Sequence, residues 1–147
     1  MKKLSIAIAS DHAGFELKKE IFQYLKDHNV KVKDFGTFSP DAVDYPDYGH
    51  ILAETVESGE YPVGISICGS GNGINMTANK HQGIRSAICW SEEIARLARF
   101  HNNANICALP ARFITKEEAF RIIEVFLSTG FEGGRHIQRV SKIPLKH

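Results

Sequence analysis

The chain has 147 residues, 43% of them hydrophobic, with 18 basic and 17 acidic side chains and a net charge of +1. That is enough apolar material for one domain over residues 1–147, and the charge is too balanced for a generic nucleic-acid or membrane-surface binder. Cysteines at 68, 89 and 107 make neither a CxxC pair nor an even disulfide set. The apolar run after Lys2-Lys3 ends at Asp11-His12 after about seven residues, too short for a signal peptide or membrane helix. A reducing cytoplasm is expected.

Short apolar runs alternate with segments of helical period, with no repeat, linker or low-complexity stretch. Residues 4–9 predict a buried strand, and residues 14–28 a helix with Leu17, Ile21 and Leu25 on one face. A second strand is predicted at 30–35 and a second helix at 48–58, where Ile51, Leu52, Thr55 and Val56 cluster. The third strand, 63–67, runs into a glycine loop and then a helical stretch at 74–79. A fourth strand at 85–90 precedes a helix that Ser91 can cap, with Glu92 and Glu93 in its first turn. A fifth strand at 106–109 follows. Thr115-Lys116-Glu117-Glu118 is then a capping box for a helix through Leu127, stopped near Gly130. Five strands alternating with helices predict a doubly wound parallel α/β sheet, whose ligands bind outside the carboxyl ends of the strands.

The most telling segment is Cys68-Gly69-Ser70-Gly71-Asn72-Gly73. It puts a thiol at the end of a strand and leaves backbone N–H groups uncovered, so that they can converge on negative charge. The dinucleotide fingerprint is excluded because position 74 is Ile, and the Walker A loop because Gly-Lys-Ser/Thr is missing. Asp11-His12 lies past the first strand and the 108–112 segment past the fifth, so three segments deliver polar groups to one rim.

Each group also has a plainer reading. Asp11 or Ser10 could cap a helix. Cys68 could be a small buried hydrophobe, and as a base its thiol, ordinarily near pKa ~8.5, must ionise. His101-Asn102-Asn103 could simply end the fourth helix, or His101 could act as an acid-base group. Arg135 and Arg139, four apart after Gly133-Gly134, fit either a solvated basic face or a phosphate site to which Arg112 adds a third guanidinium. Cys89 and Cys107 read as core. Metal is not expected, since the seven histidines show no ligand spacing and no carboxylate cluster accompanies them.

Taken together, Ser10-Asp11-His12-Ala13-Gly14, Asp44-Tyr45-Pro46, the 68–74 loop, Ala78-Asn79-Lys80, Gly83-Ile84-Arg85, His101-Asn102-Asn103-Ala104-Asn105 and Glu132-Gly133-Gly134-Arg135-His136 resemble the type B ribose-5-phosphate isomerases. That family also holds allose- and galactose-6-phosphate isomerases, and the likeness runs from about residue 4 to residue 140. It implies a three-layer Rossmann-like fold of about five strands with a C-terminal helical tail and no nucleotide, cofactor or metal. It also implies a homodimer, with pairing into tetramers left open, whose active sites lie at the interface.

The resemblance further assigns roles. Cys68 moves a proton between C1 and C2 of a sugar phosphate, Ser70 assists it, and Gly69, Gly71, Asn72 and Gly73 hold the enediolate oxygen. Asp11 and His101 serve ring opening; His12, Tyr45 and Asn102 position the sugar; Arg112, Arg135 and Arg139 clamp the phosphate. Many cysteine-type members carry Thr where this chain has Ser70. Another branch uses a glutamate where this chain has Asn75, which leaves Cys68 as the base. The implied activity is ribose 5-phosphate isomerisation in the pentose phosphate pathway. Its rivals are a six-carbon phosphate such as allose 6-phosphate, and a non-catalytic sugar-phosphate-binding module.

Overall fold

The computed structural model describes residues 4–145; the Lys2-Lys3 pair lies outside them. Three strands are buried along nearly their whole length because helices cover both faces of the sheet. These are β1 (Ser5–Ser10), β3 (Val63–Cys68) and β5 (Ile106–Pro110), and their interior isoleucines and alanines are fully buried. β2 (Lys31–Asp34) alternates exposed and half-buried residues, as an edge strand does. β4 (Ser86–Ile88) is the other edge and, among the described residues, pairs with β5 alone. The strand order is β2-β1-β3-β5-β4, all parallel.

On one face pack α1 (Phe15–Asp27), α4 (Glu92–Phe100) and α5 (Lys116–Ser128), over a core of Ile6, Ile8, Ile65, Ile67, Leu109 and Phe126. On the other lie α2 (Tyr45–Glu57) and α3 (Asn72–Ala78), against the smaller side chains Ala7 and Ala9. A short helix, α6 (Arg135–Ser141), forms the tail. The expected Rossmann-like, doubly wound sheet is therefore present. Both predicted caps form: Ser91 Oγ accepts from Ile94 N at 3.3 Å, and Thr115 and Glu118 make the reciprocal capping box.

Two local readings change, and one buried charge stands apart from the sequence pattern. α2 starts at Tyr45 rather than 48, because Pro46 sits in its first turn, where proline needs no hydrogen-bond donor. Ile51 is 41% exposed; Gly49, Leu52, Ala53 and Val56 form the buried face instead. Within the apolar face of α1, Lys18 is fully buried. Its Nζ lies 2.5 Å from Asp34 Oδ1 and 2.6 Å from the Thr37 carbonyl, which supplies the pairing a buried ammonium requires. No helix among the described residues is long and apolar enough to cross a membrane.

Candidate active site

From β1 the chain moves to one side of the sheet and from β3 to the other, so a crevice opens between these neighbours at their carboxyl ends. Register fixes what reaches it. Ser10 pairs with Ile67, and Cys68 with Pro110, so Asp11, the glycine loop and Arg112 leave the sheet at one level. Backbone bonds tie these exits together: Asp11 N donates to Ile67 O (3.2 Å), Ala111 N to Cys68 O (2.9 Å) and Arg112 N to Gly69 O (3.0 Å). Asp11, His12, Tyr45, Cys68, Gly69, Ser70, Gly73 and Arg112 line one cavity of about 580 Å³, with the exposed Phe113 ring at its rim.

Cys68, the last residue of β3, is 4% exposed. Asp11 Oδ1 accepts from Gly14 N at 3.1 Å, capping a 3₁₀ turn (His12–Gly14), and the residue also lines the cavity. His12 Nδ1 accepts from Val43 N at 3.1 Å, so neutral His12 carries its proton on Nε2. Ser70 Oγ accepts from Asn72 N at 3.2 Å, which leaves the hydroxyl hydrogen available to the cavity.

Gly71 holds the loop in the left-handed region (φ 80°), where a side chain would be strained. The amides of Ser70, Gly71 and Gly73 have no acceptor among the described residues. A Cβ at Gly73 would come within 2.5 Å of the Tyr45 ring, and one at Gly69 within 3.0 Å of Arg112 Nη1. These two glycines thus make room for the two side chains. Asn72 is exposed and, like Gly71, does not line the cavity.

The remaining expected residues lie elsewhere. His101 caps the C-terminus of α4 and, with Asn102, His136 and Arg139, lines a second hollow of about 420 Å³ that shares no residue with the first. Glu132 N donates to Phe100 O at 2.9 Å and so pins the tail to the end of α4. The His101 and His136 rings stack at 4.5 Å. Burial, then the charges of Arg135 and His101, push the His136 imidazole below its ordinary pKa, with Glu132 opposing. Arg135 is exposed and lines neither hollow.

A single chain therefore does not join His101, Asn102, Arg135 and Arg139 to Cys68. The fold also gathers His101, Glu132 and His136 so that one donor atom of each lies within 4.8 Å of the others. Linear spacing hides that cluster, because His101 comes from a different helix. Cys89 and Cys107 are fully buried, and burial with the neighbouring Cys89 thiol drives Cys107 well up in pKa, as befits core cysteines.

A parallel sheet with a thiol, a carboxylate, an imidazole and uncovered amides at its switch point defines an α/β enzyme of the Rossmann-like class. The family model described as Ribose/Galactose Isomerase matches residues 6–143. Ribose-5-phosphate isomerase B of Escherichia coli is 45% identical over 97% of this chain and 95% of its own length. A ribose 5-phosphate isomerase structure from Thermotoga maritima superposes with a TM-score of 0.96 at 50% identity, covering 97% of this chain and 99% of that one. The Mycoplasma genitalium ribose-5-phosphate isomerase B, solved with bound ribulose-5-phosphate, gives 0.91 at 45% identity, covering 95% and 93%. The chain belongs to the ribose/galactose isomerase family and is an isomerase.

Proposed function

We propose that the protein interconverts D-ribose 5-phosphate and D-ribulose 5-phosphate through an enediolate, in the cytoplasm, as a homodimer. The observation that carries this reading is the cavity shared by Cys68, Asp11, His12, Ser70 and Arg112 beside the bare glycine amides. Cys68, as thiolate, takes the proton from C2 of the open-chain aldose and returns it to C1. A positioned base contributes roughly 10²–10⁴-fold. The Ser70 hydroxyl and the loop amides meet the enediolate oxygen, each preorganised donor adding about 3–4 kcal/mol. His12 Nε2–H, the Tyr45 hydroxyl and Asn102 hold the sugar, and Asp11 with His101 opens the ring. Arg112, Arg135 and Arg139 bind the phosphate, whose distance from the reacting carbons lets its binding energy orient them.

The separation of the two hollows in one chain supports a site completed across a two-fold interface, the His101 hollow of one copy closing on the Cys68 cavity of another. The test is proton exchange at C2 of ribose 5-phosphate in heavy water, run beside kinetics on five- and six-carbon aldose phosphates. Exchange with a higher kcat/KM on the five-carbon substrate is expected. A higher value on allose 6-phosphate would move the assignment to six carbons, and tight binding without exchange would reduce the protein to a binding module.

A further inference from the structure

The proposed isomerisation assigns no role to Glu132 or His136, yet with His101 they form a compact donor set. His136 is 6% exposed, and its Nε2 has no hydrogen-bond partner among the described residues. Glu132 Oε1 lies 3.2 Å away without making a hydrogen bond to it. A buried polar atom left bare is unfavourable and calls for an explanation. A metal ion would complete it.

We infer that His101, Glu132 and His136 form a reversible zinc-type divalent-cation site, and that an ion bound there inhibits the isomerase. Two imidazole nitrogens and one carboxylate oxygen suit zinc, whereas calcium and magnesium require oxygen ligands. Tetrahedral zinc with bonds of about 2.0–2.1 Å would set its ligand atoms about 3.3 Å apart. His136 Nε2 and Glu132 Oε1 are already 3.2 Å apart, and the widest pair, within 4.8 Å, would have to close by at most about 1.5 Å. His101 is half-buried and the Glu132 side chain 37% exposed, so these two can move while buried His136 stays fixed. The hollow of about 420 Å³ leaves the fourth position open to water. The nearby Arg135 and Arg139 guanidinium groups oppose a bound cation, which makes the site a reversible one.

A coordinated His101 nitrogen has no lone pair left to accept a proton. That consequence, unlike the binding itself, rests on the proposed role of His101 in ring opening.

The experiment is calorimetric titration of the full chain with zinc chloride, repeated on Glu132→Gln and His136→Asn and paired with isomerase assays. One ion per chain is expected, with affinity falling at least about tenfold in each variant, the low end of what even outer-shell changes cost. Glu132 is exposed, so Glu132→Gln preserves the fold even where His136→Asn does not. Zinc should also suppress turnover of the unaltered protein, a chelator should restore it, and Glu132→Gln should raise the inhibitory zinc concentration by the same factor. Equal zinc affinity in the unaltered protein and Glu132→Gln would overturn the site and place the ion elsewhere, a location that Cys68→Ala would test. Zinc held by Glu132 with turnover unimpaired would leave the site standing and overturn the role of His101.

Discussion

The two hollows are built in opposite ways. The Cys68 cavity hangs from the centre of the sheet: β1, β3 and β5 end there in register, and backbone bonds lock the three exits. The His101 hollow lies at the periphery, on the end of α4 and the short α6, joined by the Glu132–Phe100 backbone bond. A proton-transfer base needs fixed geometry, and the sheet supplies it. The groups proposed for ring opening, sugar positioning and phosphate binding, His101, Asn102 and Arg139, sit on a helix end and a tail instead, a more adjustable mount. In the proposed homodimer, this division puts one hollow on each side of the subunit contact.

Removing the thiol should produce the largest effect. Cys68→Ala should lower kcat by roughly 10²–10⁴-fold with substrate still bound; a folded variant with full turnover would remove the central cavity's claim to the chemistry. Next comes a direct test of the division between chains. Co-refolding inactive Cys68→Ala with inactive His101→Ala should restore about a quarter of the native number of sites, since a statistical mixture is half heterodimer with one intact site in each. Heterodimers verified by native mass spectrometry but devoid of activity would place both groups in one chain's site.

Arg112→Ala and Arg139→Ala, one from each hollow, should each reduce kcat/KM roughly 10–100-fold, chiefly through KM, as expected for losing a charge-assisted hydrogen bond. An effect confined to Arg112 would separate the second hollow from substrate binding.

The smallest effect lies far from both hollows. The Tyr24 hydroxyl, on α1, donates to Glu124 on α5. Burial, then that hydrogen bond and the Glu124 charge, push Tyr24 up to about 12. Because the folded pKa is raised, this contribution is fully present below about pH 10 and fades as the pH climbs towards 12. Tyr24→Phe should therefore cost under about 1 kcal/mol near neutrality, this being a largely solvated contact. Its deficit in urea unfolding should close above pH 10, while turnover at neutral pH stays unchanged. A constant deficit across that range would show that the contact does not titrate.

Much of the central cavity was legible in the linear chain. Unbroken apolar runs mark strands covered on both faces, and in a doubly wound sheet that pattern alone sends Asp11 and Cys68 to the same rim. Caps were legible too, because Ser91 and Thr115 act within one helical turn. What escaped depends on distance along the chain. Nothing near His101 announces Glu132 and His136, since their meeting is set by how the tail folds back on α4. Ile51 fits a helical stripe as well as Leu52 does; only the position of the sheet decides which is buried. The start of α2 escaped because its apolar period becomes visible only from about residue 48, although proline is at home in a first helical turn.

Lys18 resisted reading for a related reason, and its burial has a consequence for descent. Its ammonium is enclosed with Asp34 and the Thr37 carbonyl, while Ser10, the residue before Asp11, exchanges backbone bonds with Gly36 and Thr37. A substitution at position 18 or 34 alone strands a charge inside this bracket. The two positions are thus inherited as a unit: lineages should keep both or exchange both for an uncharged pair, and chains that carry only one of them should be rare.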